Sequence, residues 1–494
     1  MLAAAARARS ALGAPETGSI RRRPEHQVIS LRPLIFRFAV STCGLLALGF
    51  VTFLYMKHPY LYMKLINGII KFRAPHPFID WEYVPSAIRC WAEGVDVYID
   101  NTCYNVGGHP QPYPYSPLLL RATFLAAGEH WINVTMLSIC VLFFLSLATL
   151  TPPHDGGELI IALFATLSCA TFLGVERGNA DLILFLMIVA GIHLRVLPLA
   201  FRLGGCGLIV LAGLVKFYPF VALIVVLRER LLVIAAVAVA SVAALATLLF
   251  YHHELGLMAA NLPAPSYFTM QFGSANLPSG IGLSVGKIME KLGYANAHGA
   301  QAVGALVARA VLPILVVSAI GAAFLIAGRC DLRLVEARLA ARQLDFLVAG
   351  AALISGCFFA SQSVIYRGIY LLLALPGLAE LSRQITTPLG RRLFGSVGAA
   401  IVFVLWRPFL SECLNLAGLS ARLQYIGLAP RAALLLHYPN NYNNFPSSTF
   451  GYGLWLASEL AWWWIITLLL AVLIAFVGRA EPWDLFCRFT LAKR

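Results

Sequence analysis

The carboxylates Asp80, Glu82 and Glu93 stand with two others in the stretch HPFIDWEYVPSAIRCWAEGVDVYIDN (76–101), among aromatic residues and after the first long apolar run. A carboxylate at a membrane surface acts as a general base toward a hydroxyl when its geometry and protonation suit. A plainer reading stands beside this one: Asp followed by Trp-Glu-Tyr also opens a helix, with Asp80 as its cap and Glu82 in the first turn. Glu82, two positions on, points elsewhere on such a helix. Lys216 lies in the middle of CGLIVLAGLVKFYPFVALIVVL (206–227). An ionisable group inside an apolar run is costly and by default marks a site, unless an interface lies close enough for the lysine to snorkel. As a point charge, Lys216 suits an anion such as a lipid phosphate.

Other residues invite the same scrutiny. Arg177 in GVERGNADLIL (174–184) reads as a site cation or as a local partner of Glu176 or Asp181, with Gly178-Asn179 as a turn and Asp181 as the cap of the next helix. Arg367 in SQSVIYRGIY (361–370) falls just inside an apolar run, where an unpaired arginine is costly. Asn276 and Ser279 in SANLPSGIGL (274–283) read as helix caps or as the lining of a polar acceptor pocket. His252 and His253 in FYHHEL are adjacent and face different ways on a helix, which makes a poor metal pair.

The elements that position these residues follow from composition. The chain has 494 residues, is 60% hydrophobic and 12% charged, and has a mean hydropathy of +0.78. That is far from a soluble domain, and it predicts an all-α polytopic membrane protein. In such a chain the net charge of +14 reports topology rather than nucleic-acid binding. Apolar runs near 35–56, 131–150, 158–175, 181–200, 206–227, 231–250, 305–328, 346–361, 364–381, 393–410 and 455–477 reach or approach spanning length. If the fifth run crossed fully, RER (228–230) and the Arg-rich segment 329–345 would both lie outside, against the positive-inside rule. A break at Lys216, Tyr218 and Pro219, leaving half-segments of about ten residues, turns this run into a re-entrant hairpin and restores the pattern.

The expectation is ten full spans plus one hairpin, with both termini cytoplasmic. Residues 1–34 form a mobile Arg-rich tail, 35–478 a single transmembrane domain and 479–494 a second cytoplasmic tail. Loops 57–130, 251–304 and 411–454 lie outside, with helices at the headgroup level. The N-terminal residues lack an apolar core of signal-peptide length, so the first run is expected to be an uncleaved anchor. The Asn/Tyr-rich stretch 437–453 suits carbohydrate contact or a plain interfacial loop.

No phosphate-loop, Walker or dinucleotide fingerprint occurs, so no nucleotide cofactor is expected. The ten cysteines show no CxxC pattern. Cys90 and Cys103 share a loop that would let them pair in an oxidising compartment, but the free-thiol reading is preferred.

The order of features resembles a known family. The Asp-led loop after one inside-to-outside helix, Gly94-x-Asp96-x-Tyr98, YPYSP (113–117), GNADLILFLM (178–187) and the Lys-aromatic-Pro segment AGLVKFYPFVALIVVL (212–227) look like the polyprenol-phosphate-mannose-dependent glycosyltransferases of family 87. The resemblance covers about residues 35–385, and its most specific element is the Lys216 segment. It implies a GT-C-like bundle and transfer of a hexose, typically mannose, from a polyprenyl-phosphate donor to a hydroxyl of a lipid or glycan acceptor. By position, Asp80 corresponds to the catalytic aspartate and Lys216 to the lysine of the K-x-x-P segment. Where many members carry a Ser-Pro-x-Ser-Trp-His-like segment, this chain has SQSVIYRG with Arg367. In this scheme Asp80 is the base of an inverting single displacement. Lys216, Arg177 and Arg367 face the donor phosphate, while Glu82, Tyr83, Tyr113, Tyr115, Asn179 and Asn276 contact sugar or acceptor. Membrane lipid is the surrounding partner, and the scheme needs no metal. A flippase or transporter of a lipid-linked sugar is the rival reading, because broken helices with charges at mid-membrane also build transport sites. A non-catalytic partner in an envelope complex is the third.

Overall fold

A computed structural model describes residues 32–70, 76–106, 109–110, 112–261, 271–336, 338–360, 362–416 and 449–478. Most of both expected tails and most of the loop 411–454, including nearly all of the Asn/Tyr-rich stretch, lie outside these residues. The described chain is almost entirely helical. Its strands are two antiparallel two-residue pairs, Asn105–Val106 with His109–Pro110 and Gln271–Phe272 with Ser363–Val364.

Eight helices are long and apolar enough to cross a membrane, or nine if the bent pair Gly156–Thr166 and Cys169–Arg177 makes one span. The chain is thus an all-α, multi-pass integral membrane protein. Seven of the ten expected spans are among these eight helices, the other being Leu199–Lys216, the first arm of the expected hairpin; the run 158–175 is the bent pair, and two further runs fold into shorter helices. Ile132–Leu147 has 16 residues and Asp181–Arg195 has 15, the latter closed by the Val196-Leu197-Pro198 turn. Helices Leu231–Phe250 and Ala297–Arg329 keep only 22% of their apolar windows buried, whereas Ala341–Ala360 keeps 83%. The former carry lipid-facing surfaces, and the latter is the bundle's central helix.

The segment around Lys216 folds back on itself. Helix Leu199–Lys216 runs 18 residues, Phe217 turns at φ 54° and ψ −56°, and a 3₁₀ segment, Tyr218–Arg228, returns. A bulky residue at that backbone angle costs on the order of 1–3 kcal/mol, so the surroundings must hold it. Pro219 starts the returning arm, where its missing N–H costs nothing, and the Phe220 ring packs where a Cβ on Gly213 would sit, 2.6 Å away. The two ends of the hairpin meet. Glu229 takes Arg202, near the start of the outgoing arm, at 2.9 Å and Arg195, just before it, at 3.0 Å. Asp345 joins them, 3.0 Å from Arg195 and 4.0 Å from Arg228. The outgoing arm is therefore 18 residues long rather than the ten expected, and Lys216 lies about 27 Å along it from its start.

Helix Asp181–Arg195 runs antiparallel beside that arm and spans the same depth. Gly191 and Gly205 let the two backbones touch, since a Cβ on Gly205 would stand 2.4 Å from the Gly191 carbonyl oxygen. This close approach brings Asp181 and Lys216 to one end of the bundle and leaves Arg195 at the other.

Helices Pro59–Ile70 and Ile79–Ala92 follow the first span at the Asp80 end. The second forms, with residues 95–126, a separate small core of Tyr83, Tyr98, Tyr104, Tyr113 and Tyr115. Cys90 and Cys103 are joined in a disulfide within it, which corrects the free-thiol expectation. The helix ending at Ala92 and the turn at 99–104 bring the two sulfurs together, a closeness that spacing alone does not reveal.

Candidate functional site

Asp80 does not cap its helix. The cap position belongs to Phe78, in the left-handed region at φ 65°, with no side-chain cap bond. Phe78 N–H instead donates to the Glu176 carbonyl at 2.6 Å, and Gly178, at φ 60°, closes the Cys169–Arg177 helix against it. A Cβ on Gly178 would lie 3.0 Å from the Phe78 Cα, so the contact is backbone against backbone. This docking lays Asp80 over the turn that carries Arg177 and Asn179.

Asp80 Oδ1 lies 3.4 Å from Arg177 Nε, and Oδ2 accepts a 2.8 Å hydrogen bond from Asn179 Nδ2. Asn179 Oδ1 accepts from the Asp181 N–H at 3.0 Å and from Lys216 Nζ at 3.3 Å. Lys216 also pairs with Asp181, whose side chain is 1% exposed. Its ammonium stands 5.2 Å from the centroid of Tyr115 and 5.6 Å from that of Tyr366, both within cation–π range. Arg177 thus pairs with Asp80. Glu176 accepts instead from Tyr62 at 2.9 Å. Asp181 proves to be the partner of Lys216 and no cap, the cap position being Ala180.

Arg367 stacks on Tyr218, 4.8 Å from the ring centroid. The Tyr218 hydroxyl bonds to that of Tyr370 at 2.8 Å, and Tyr370 reaches the Asp181 carbonyl at 3.4 Å. Arg367 is therefore tied to the Lys216 cluster through two tyrosines, without touching Asp80.

Tyr83 and Tyr113 are buried in the loop core: Tyr83 donates to the Pro112 carbonyl at 2.8 Å, and Tyr113 packs edge-on to Tyr98. Tyr98 donates to the Tyr115 carbonyl at 3.2 Å and its N–H is held by Asp96 at 3.0 Å, so the Gly94-x-Asp96-x-Tyr98 motif shapes the loop that delivers Tyr115. Burial pushes the Tyr113 and Tyr115 hydroxyls well above the usual phenol range, and both stay neutral.

Four further candidates sit apart. Glu82 turns to His76, 3.4 Å away, and Glu93 is the exposed end of the helix, thirteen residues from Asp80. Asn276 is fully buried at the start of helix Asn276–Lys291. Neither it nor Ser279 caps that helix, and its amide atoms have no hydrogen-bond partner among the described residues. It is not joined to the Asp80 cluster by any described contact.

Beside the cluster opens an apolar crevice of about 300 Å³, lined by Leu48, Val51, Leu137 and Phe172 and also by Tyr62, Phe78 and Glu176. Another cavity, of about 290 Å³, lies between Leu150, Glu158, Leu375 and Arg383, near the opposite end and away from Asp80.

No family model, curated protein or solved structure matches the chain.

Among the described residues, the one grouping tight enough for a metal is Cys90, Glu93 and Cys103, and its two sulfurs are already bonded to each other. His252 and His253 are exposed on helix His252–Asn261 and do not belong to that grouping. The cluster itself offers a partly exposed carboxylate, two cations within two contacts of it and an aromatic wall. That is equipment for accepting a proton beside a developing negative charge. Sequence reasoning missed Tyr366 and the pairing role of Asp181. The signal for Asp181 was present, as a charge opening an otherwise apolar helix.

Proposed function

We propose that the protein is an integral-membrane glycosyltransferase. It moves a hexose, mannose by its resemblance, from a polyprenyl-phosphate carrier to a hydroxyl of a lipid or glycan acceptor. Asp80 takes the proton of the acceptor hydroxyl, whose oxygen attacks the anomeric carbon. The bond from that carbon to the phosphate oxygen breaks, and the polyprenyl phosphate leaves with inversion at the sugar. Lys216, with Arg177 and Arg367 nearby, balances the charge on the departing phosphate.

One observation carries this reading: a carboxylate and a lysine, both rare at a bundle surface this apolar, are held in one hydrogen-bonded cluster beside an apolar crevice. The crevice suits the isoprenoid tail, and the cluster beside it suits the phosphate and sugar. In this reading the Lys216 hairpin enters and leaves the membrane on the cytoplasmic side. The Asp80 end, with its disulfide, then faces the extracytoplasmic side of a bacterial plasma membrane.

The test is transfer from labelled polyprenyl-phosphate-mannose to membrane acceptors, comparing wild type with Asp80→Asn at equal expression. The expected result is transfer by the wild type and a loss of at least about a hundredfold in the variant. Transfer that survives Asp80→Asn removes the base from this residue. Transfer from no carrier at all favours a lipid-linked-sugar transporter, a reading that the broken segment at Lys216 supports by itself.

A further inference from the structure

Asn179 was read from sequence as a sugar or acceptor contact, but both ends of its amide already have partners within the protein. The Asp181 N–H can only donate, so the atom facing it at 3.0 Å must be the amide oxygen. That fixes the flip of the amide and turns Nδ2, a donor, toward Asp80 Oδ2 at 2.8 Å. The same oxygen receives Lys216 Nζ at 3.3 Å. Asn179 thus donates to Asp80 through one end of its amide and accepts from Lys216 through the other.

We propose that Asn179 is a positioning residue, which binds neither sugar nor acceptor but locks the Asp80 carboxylate and the Lys216 ammonium to one another. This rests on Asp80 being the base and extends that reading. The lock has its own anchor, since the backbone bond from Asp181 holds the amide whether or not either side chain is occupied. The consequence is that Asp80 presents a fixed oxygen. Oδ2 is oriented by Asn179, and Oδ1, facing Arg177, keeps lone pairs for the incoming hydroxyl.

The other groups that face Asp80 are Arg177 and Glu176 from the Cys169–Arg177 helix, Tyr83 and Tyr104 from the disulfide-linked loop, and Tyr115 and Tyr366 from above Lys216. The tyrosines are neutral across the working range, so the charge balance is set by Arg177, Glu176, the Lys216–Asp181 pair that meets residue 179 from its other side, and whatever stands at 179.

Asn179→Asp keeps the shape and the acceptor for Asp181 N–H but replaces the donor to Asp80 with a second carboxylate. Two carboxylates in contact share a proton and titrate as a pair in two steps, the second displaced upward. The experiment measures the pH dependence of transfer for wild type, Asn179→Asp and Asn179→Ala. It also follows carboxylate titration by carbon-13 NMR in the donor-free protein, labelled at aspartate and held in nanodiscs. For Asn179→Asp, the acid limb of kcat/KM is expected to move up by at least one pH unit, a tenfold loss for each unit below the new limb, with recovery at high pH. For Asn179→Ala, kcat falls at every pH while KM for the donor stays within about twofold.

An acid limb that stays in place in Asn179→Asp overturns the proposal. So does a rise in donor KM alone in Asn179→Ala, which would put the amide on the sugar. The NMR arm needs no turnover. An upward-displaced aspartate titration in Asn179→Asp that is absent when Asp80→Asn is added supports the lock even if no carrier sugar is ever transferred. An undisplaced titration overturns it even if transfer is robust.

Discussion

Lys216 owes its place to Asp181 more than to its own helix. A lysine among apolar side chains and a 1%-exposed aspartate each carry a large desolvation cost, which only their pairing and the surrounding rings offset. Lys216→Met therefore strands a buried carboxylate and is expected to lower stability by about 3–5 kcal/mol. Adding Asp181→Asn to it should restore most of that loss, since the asparagine needs no countercharge. Thermal unfolding of the four proteins in one detergent measures the coupling, and additive effects would show that the pair is not a unit. How far these residues were legible in sequence follows from the same physics. A charge in an apolar run announces itself without any partner, so Lys216, Arg177 and Arg367 stood out. Asp181 looked like a cap because the identity of a partner 35 residues away depends on two helices lying flush at Gly191 and Gly205. Asp80 carried two readings for a similar reason. Its cap reading fails only because Phe78 occupies the cap position, an arrangement imposed by Glu176 and Gly178 from another helix.

Among the elements, the loop that follows Asp80 is held by tyrosines more than by aliphatic packing. Tyr83, Tyr98, Tyr104, Tyr113 and Tyr115 all sit in one core, and burial raises every one of their hydroxyls above the free-phenol value. Their contribution to stability is complete below about pH 10, where unfolded tyrosine begins to ionise, and drains away as pH rises further. The expected outcome is a loop that stays folded to about pH 10 and then loosens. Tyrosinate absorbance should therefore rise late and steeply compared with free tyrosine. A gradual rise centred near 10 would mean that the rings are in water. Sequence placed helices and aromatic residues in this loop, but not the disulfide, because a 13-residue separation fits a bond or two free thiols equally well. The hairpin was legible as a break, at Lys216 and Pro219, through the argument of charge parity. The length of its first arm was not, since the polar-looking start at Arg202 is compatible with either a loop or a helix paired to Glu229.

For the molecule as a whole, composition dictated most of the architecture, and the uncertainty lay in which runs cross. Ion pairs collect at one end, around Arg195, Glu229 and Asp345, while the other end carries the Asp80 cluster and the tyrosine core. With the exposed Cys413 removed, single cysteines at Ile99 and at Leu197, both well exposed, test which end faces which compartment. A membrane-impermeant maleimide is expected to label Ile99→Cys in intact cells and Leu197→Cys only after permeabilisation. Labelling of Arg228→Cys from outside would break the orientation and the hairpin reading together.

The hairpin is also a lever. Its fulcrum is the knot of Arg195, Arg202, Glu229 and Asp345, and its far end is Lys216, about 27 Å away. A tilt of about two degrees at that knot displaces the ammonium by about 1 Å, enough to exchange one oxygen partner for another. In the proposed function, whatever grips the knot, whether a lipid headgroup, a proton or another protein, is geared to the transfer step at the opposite end of the bundle.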